Sequence, residues 1–198
     1  MADFAPVTLT GDVVTLEPLD RGHTDELAVA VSDGRLWELW YTSVPTPAGM
    51  AAGVEARLTR QEAGEMLPFV VRRNADGAVV GATTYCHADL AVPRLEVGYT
   101  WTAASAQRTG VNAESKLLLL THAFETVGCL AVEFRTHWHN RQSRAAIARL
   151  GAKQDGVLRN HGRMPGGSLR DTVVFSTTDA EWPAVRGGLR HRLARHAG

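Results

Sequence analysis

From Ser105 to Ala113 the chain reads Ser-Ala-Gln-Arg-Thr-Gly-Val-Asn-Ala, a polar stretch that leaves a strand-like segment and enters a run of apolar residues at helical spacing. A strand, a loop with glycine and a helix N-terminus together form an anion site. First-turn N–H groups have no intrahelical partner, and the helix dipole adds partial positive charge there. Gly110 would let the backbone come close to a ligand, and Arg108 could add a charge-assisted contact. The stretch is neither a P-loop, whose glycine-lysine-serine/threonine ending is missing, nor a dinucleotide fingerprint, which needs three glycines. The residues alone leave two readings open: a diphosphate site, or an ordinary loop capping a helix. His137 and His139 alternate, but two histidines without a nearby carboxylate or thiolate pair are a poor zinc set, so no metal is expected. Cys86 and Cys129 are far apart in apolar surroundings and read as small buried hydrophobes.

The elements around these residues follow from periodicity. Residues 13–19 alternate as a strand, and helices are expected at 24–31 and at 51–62, where Val54 and Leu58 share a face. Between the helices, Trp37, Trp40, Tyr41, Pro45 and Pro47 read as an irregular aromatic connection. Segments 69–72 and 79–87 flank the turn-like Asn74-Ala75-Asp76-Gly77 and make a hairpin. The next strand is 95–101, in which Gly98 suggests a bulge. Ala113, Leu117, Leu120, Phe124 and Val127 mark one stripe of a helix that Gly128 stops. A strand at 131–137 leads to Asn140, a good N-cap for a helix through Leu150 ended by Gly151. Strands at 153–158 and 169–177 follow, and Trp182, Val185, Leu189 and Leu193 suggest a last helix weakened by Gly187 and Gly188. This order predicts an α/β (α+β) fold in a single domain over residues 1–198, with a twisted mixed central sheet of about seven strands and helices on both faces.

Composition narrows the function. The chain has 198 residues, 44% of them hydrophobic, and equal numbers (21 each) of basic and acidic residues. That is an ordinary globular composition, and the zero net charge argues against a nucleic-acid binder. The N-terminal residues have no basic patch ahead of an apolar run, and the longest aliphatic run, Leu117 to Leu120, is too short for a bilayer. A soluble cytoplasmic protein without nucleic-acid or membrane partners is the expectation.

From Leu95 to Leu158 the sequence resembles the GNAT superfamily of acyl-CoA N-acetyltransferases, in particular its ribosomal-protein-alanine N-acetyltransferase branch. Glu96-Val97-Gly98-Tyr99-Thr100-Trp101 looks like that branch's fourth strand. Gln107-Arg108-Thr109-Gly110 resembles the start of the superfamily's pyrophosphate loop, a Gln or Arg, two variable residues and Gly. Glu133 to Asn140 looks like the fifth strand running into an Asn. The stretch from Asn140-Arg141-Gln142-Ser143 to Leu150-Gly151 is similar to the following helix, and Gly156-Val157-Leu158-Arg159 to the strand after it. One departure stands out: the family's loop usually has a second Gly or Ala two residues after the first, where this chain has Asn112.

The resemblance implies acetyl transfer from acetyl-CoA, a co-substrate, straight to a primary amine on a small molecule or a peptide N-terminus, without a metal. A CoA-binding sensor or interaction module is the alternative, and a homodimer is one possibility the resemblance brings. It also implies that the amides of Gln107, Arg108, Thr109, Gly110, Val111, Asn112 and Ala113 hold the diphosphate. The main chain of Tyr99, Thr100 and Trp101 would hold the pantetheine arm, with Asn140 touching it as well as capping its helix. Glu96 is the implied general base, unless it makes a cross-strand ion pair with an arginine. Ser143 is the implied general acid near the sulfur, unless its hydroxyl merely caps, and Tyr99 is the alternative acid. His137, Trp138 and His139 are expected at the acceptor end of the cleft, with Tyr85 and His87.

Overall fold

The computed structural model describes residues 5–89 and 91–195. The N-terminal tetrapeptide on which the expectation of no leader rests lies outside them. One eight-stranded sheet runs through the molecule in the order β1-β2-β3-β4-β5-β6-β8-β7. Its strands are β1 (Leu9–Thr10), β2 (Val14–Pro18), β3 (Met66–Arg73), β4 (Val79–Asp89), β5 (Arg94–Thr102), β6 (Ala131–His137), β7 (Lys153–Arg163) and β8 (Leu169–Thr178). All neighbours are antiparallel except β5 and β6. The sheet thus has eight strands where the sequence suggests about seven. The extra one, β1, is two residues long, too short to show a period.

Helices cover both faces. α1 (Thr24–Ser32) and α2 (Met50–Glu62) bury Leu27, Val31, Met50, Val54 and Leu58 in a cluster with Val70, Ala82 and Trp101. On the other face, α3 (Val111–Thr121) and α5 (Trp182–Ala194) join Leu119, Leu120, Val185 and Leu189 to Phe69, Val71, Tyr85 and Val97. α4 (Arg141–Leu150) has the ends expected of it: the Asn140 side chain accepts from the Ser143 amide, and Gly151 is left-handed. β3 and β4 are buried without alternation over their first six and eight residues because both their faces are covered there.

The helix after the polar loop is where the apolar pattern misleads. It starts at Val111, and its last six residues (His122–Val127) widen into a π-helix. Leu117 and Phe124, members of the expected stripe, are only partly buried, whereas Glu114, Ser115 and Lys116 are buried. Each of these polar residues has partners. The Glu114 carboxylate accepts the amides of Asp12, Val13 and Val14 at 3.0, 2.6 and 2.7 Å and so ties the β1–β2 turn to the first turn of α3. Ser115 donates to the Val111 carbonyl at 2.8 Å.

Gly81 shows how tightly β4 and β5 are joined. A Cβ there would stand 2.3 Å from the Trp101 carbonyl oxygen and 3.2 Å from the Thr102 Cα, both backbone atoms that cannot swing aside. Gly81→Ala should therefore cost about 1–3 kcal/mol of stability, read as a lower urea midpoint at unchanged slope. Gly156→Ala, with nothing within 4 Å of the new methyl, is the comparison that should stay near the parent.

Candidate active site

β5 and β6 pair as parallel strands for only three residues, Arg94↔Ala131, Leu95↔Val132 and Glu96↔Glu133, and then diverge. Beyond that vertex the inner edge of β5 has no strand beside it. A bulge widens the gap: Thr84 faces Gly98 and Ala82 faces Trp101, so β5 carries one residue more than β4 across the interval. The bulge expected at Gly98 is thus present, but the left-handed residue is Tyr99, at φ 50°. Gly98 has another duty, since a Cβ there would lie 2.8 Å from the Glu96 Oε1 and 3.2 Å from the Cys86 Sγ. Tyr99 is held by α2: its hydroxyl accepts from Arg60 Nη1 at 3.0 Å, and the guanidinium carbons of Arg60 and Arg57 lie 5.6 and 6.0 Å from its ring centroid.

A cavity of about 840 Å³ fills the divergence. Its walls include Val97 to Thr102 on β5, Phe134 to His137 on β6, the loop before α3, and one side of α4 from its cap Asn140 through Ser143 to Leu150. The loop is anchored rather than floppy. The amides of Ala104 and Ser105 donate to the Asp33 carbonyl and carboxylate at 3.0 and 2.9 Å, and the hydrogen bonding from Ser105 holds the Asp33 carboxyl below its usual range. Gln107 donates to the Thr102 carbonyl at 3.0 Å and accepts from Gln142 at 3.2 Å, which ties the loop to α4. Arg108 is left-handed at φ 63°, whereas Asn112 sits inside the first helical turn. Gly110 at the N-cap gives no side-chain cap, and the Thr109 hydroxyl accepts only the Val111 amide, at 3.3 Å.

Of the implied donor-binding residues, Tyr99, Thr100, Trp101, Gln107, Arg108, Thr109, Asn112, Ala113, Asn140 and Ser143 line the cavity. Gly110 and Val111 do not. A Cβ on Gly110 would face Leu193 and Val13 at 3.5 and 3.6 Å, and Val111 is buried in the core. Any contact from these two is through the main chain.

Glu96 lies at the vertex, beneath the cavity rather than in its wall, and it does make the cross-strand ion pair. Its Oε2 is 2.9 Å from His87 Nδ1 and 3.4 Å from Arg135 Nε. Arg135 also bonds Glu133, which pairs with Arg94, giving a ladder of alternating charge across three strands. Cys86, His87 and Glu96 bring three possible metal ligand atoms within 4.8 Å of one another, a grouping that strand pairing hides from the linear sequence. Burial, with Glu96 adding to it, pushes the Cys86 thiol up to about 12, and Glu96 is already shared between two cations, so the set suits a metal poorly.

The acceptor end differs from expectation at four positions. Tyr85 is fully buried on the α3 face, where its hydroxyl donates to the Leu119 carbonyl at 2.5 Å and its ring stacks on His122, so it is a core residue. His87 is half exposed and turned to Glu96, outside the cavity wall. Trp138, past the strand end, lies under the Arg144 guanidinium, 4.1 Å from its centroid. His139 is exposed and packs on Trp40, 5.3 Å between centroids. His137 does reach the cavity. Its Nδ1 accepts the His139 amide at 3.1 Å, and burial, then the nearby Arg170 charge, lowers its pKa. Arg57 and Arg170 join it in the wall, and neither could be picked out by local pattern, since each comes from a different distant element.

Lys116 is the other residue that sequence reading passes over. It is almost wholly buried against the cavity, where its Nζ donates to Thr100 Oγ1 at 3.0 Å and Thr83 Oγ1 at 3.3 Å. Burial pushes its pKa down to about 7 from 10.5. Below about 7 the amine is charged folded and unfolded, and its burial cost is greatest. Between about 7 and 10.5 the unfolded chain holds a proton that the folded one has lost, so stability rises with pH across that window. Lys116→Met should thus be more stable than the parent by about 3–5 kcal/mol near pH 6, with the gap closing towards about pH 10. Urea melts at a series of pH values would show it, and a gap that does not change with pH would refute the buried titrating amine.

Comparison with known proteins places these features in context. A family model of the acetyltransferase (GNAT) domain matches residues 14–153. A Bacillus subtilis (strain 168) protein, provisionally named ribosomal N-acetyltransferase YdaF, is 29% identical over 107 residues, 54% of this chain and 57% of that protein, so the match spans little more than half of that relative's length. The structure of a GCN5-related N-acetyltransferase from Brucella melitensis superposes with a TM-score of 0.84 at 28% identity, covering 96% of this chain and 86% of that one. Mycobacterium smegmatis RimJ in complex with CoA-disulfide shares the fold at 23% identity, with a TM-score of 0.76 over 95% of this chain and 93% of its own.

Proposed function

The chain belongs to the acetyltransferase (GNAT) family, and on that premise we propose that it transfers an acetyl group from acetyl-CoA directly to a primary amine, with no acyl-enzyme between. The observation that carries this reading is that one cavity of about 840 Å³ is bounded at once by the unpaired edge of β5, the loop before α3 and the first turn of α4. A diphosphate fits the amides that follow Gln107, whose own amide is spent on the Ala104 carbonyl, and an extended amide-bearing arm fits the main chain of Tyr99, Thr100 and Trp101. RimJ, of the same fold, has been seen with CoA-disulfide bound. Asn140 offers a further contact to the arm, since it lines the cavity while capping α4.

The chemistry needs a neutral amine, whose nitrogen attacks the thioester carbonyl. A C–N bond forms, the C–S bond breaks, and the thiolate takes a proton. In our reading Ser143 gives that proton from the first turn of α4, with Tyr99 the alternative, its oxygen accepting from Arg60 while its own proton remains to be given. Glu96 removes the ammonium proton through an intervening water, because its carboxylate is at the vertex and not in the wall. His87, hydrogen-bonded to it at 2.9 Å and half exposed, opens a route for the proton to solvent. The acceptor is a peptide N-terminus, an amino acid derivative or a small amine. The name of the Bacillus subtilis relative favours the first.

Titration calorimetry with CoA should give heat, and acetyl-CoA with an amine panel should release thiol. Glu96→Gln and Ser143→Ala should each lower kcat by about a hundredfold while CoA still binds. Turnover that survives in both variants would strike out these roles and leave the fold untouched. A flat calorimetric trace would remove the donor itself.

A further inference from the structure

The acceptor side of the cleft holds more positive charge than it neutralises. Arg57 reaches it from α2 and Arg170 from β8. Among the described residues no carboxylate lies within ion-pair distance of either. The acidic groups at hand are committed: Glu96 to His87 and Arg135, Glu133 to Arg135 and Arg94, and Glu65 to Arg60. Arg170 spends its Nε on the Thr172 hydroxyl at 3.0 Å, and the Nε of Arg57 is buried with no partner in the protein.

His137 completes the wall. Because its Nδ1 accepts a backbone amide, the neutral ring carries its proton on Nε2, which is buried and likewise without a partner. These groups act on common ground. Arg57 lies against the Tyr99 ring, and Arg170 interacts electrostatically first with Glu96, at longer range than an ion pair, and then with Tyr99 and His137. Buried donors in folded proteins are nearly always paired. Two guanidiniums and an imidazole N–H on one cavity wall, all donors with no acceptor between them, therefore ask for an anion. Guanidinium forks match the planar carboxylate best. The donor's own phosphates do not meet this need, since the loop that suits them lies at the far end of β5.

We propose that Arg57, Arg170 and His137 form a carboxylate subsite, and that the acceptor is a primary amine carrying a carboxylate close to it, an inference that rests on the acyl-transfer reading of the same cleft. The carboxylate can be the α-carboxylate of a free amino acid or the side chain of an acidic residue next to a peptide N-terminus. Two pairs of acceptors separate these sources: alanine against alaninamide, and an Ala-Asp peptide amide against its Ala-Asn counterpart.

Thiol release should favour the acid in one of the pairs by about ten- to a hundredfold in kcat/KM. The favoured pair identifies the source. In Arg57→Gln combined with Arg170→Gln that ratio should fall towards one, and the two lysine replacements should restore part of it. A ratio near one in both pairs, or a preference that outlasts both arginines, would overturn the subsite and leave acetyl transfer standing. If the parent acetylates none of these amines while other amines are turned over, the carboxylate-bearing acceptor is wrong. If no amine at all is turned over, the transfer reading fails, and calorimetry decides the subsite by itself. With CoA present, heat from N-acetylalanine or the N-acetylated Ala-Asp amide that is absent for the matching amide or Ala-Asn form, and absent in the double variant, supports it. Equal heats for acid and neutral form refute it.

Discussion

The architecture depends on two parallel strands that stop pairing. β5 and β6 share three residue pairs and part after Glu96↔Glu133, in the middle of a sheet whose other strands pair along nearly their full length. Main-chain groups inside a sheet are seldom left without partners. Past Glu96 the inner edge of β5 must be satisfied from outside the fold, by solvent or by an extended ligand that takes a missing strand's place. The charge ladder from His87 through Glu96, Arg135 and Glu133 to Arg94 crosses the sheet at the point of divergence. It fixes where the strands part without closing the gap above.

Three departures from ordinary local preference lie around that gap, besides left-handed Arg35, His87 and Asn160 elsewhere. Tyr99 takes a left-handed conformation that β-strand residues avoid, Arg108 does the same in the loop, and Lys116 lies buried without a carboxylate. Each is held from elsewhere: Tyr99 by two arginines of α2, the loop by Asp33, and Lys116 by two threonines that also bond each other at 2.8 Å. Local costs sustained by distant contacts are the mark of a site rather than of a scaffold. The scaffold proper follows ordinary rules, as the Asn140 cap and the Gly151 stop of α4 show.

That contrast explains what the sequence could tell. α4, β6 and the β3–β4 hairpin were legible because caps, turn residues and alternation act locally. The loop before α3 was legible as a polar turn into a helix N-terminus for the same reason, and several of its residues line the cavity. The faces of β4 were not, since a strand covered on both sides carries no alternation to say whether Tyr85 points to α3 or to the cleft. The buried side of α3 was misjudged because Glu114 and Lys116 look like surface residues until their partners, on β2, β4 and β5, are brought to them by the fold. Trp138 was placed in the cleft on the strength of its neighbour, but the chain leaves the strand after His137, and alternation ends with it. Arg57 and Arg170, which are 113 positions apart, had no common signal at all.

The acceptor wall also shows where net charge misleads. The chain as a whole is neutral, yet its acids are spent on the ladder and at the outer surface, and the cleft keeps its surplus of donors. An ammonium entering such a wall alone would be repelled. The same ammonium tethered to a carboxylate is drawn in by its other end, and beside Arg57 and Arg170 it is pressed towards the neutral form that can attack a thioester. His137 cannot take the proton at Nε2, because the backbone amide on Nδ1 keeps that nitrogen a donor. Glu96 stands on the negative side of the same ladder, bonded to His87 and Arg135 and felt at Arg170 without an ion pair to it, and is linked through His87 to solvent. On the proposed reading, binding the acid and deprotonating the amine are two consequences of one uneven distribution of charge across the divergence of β5 and β6.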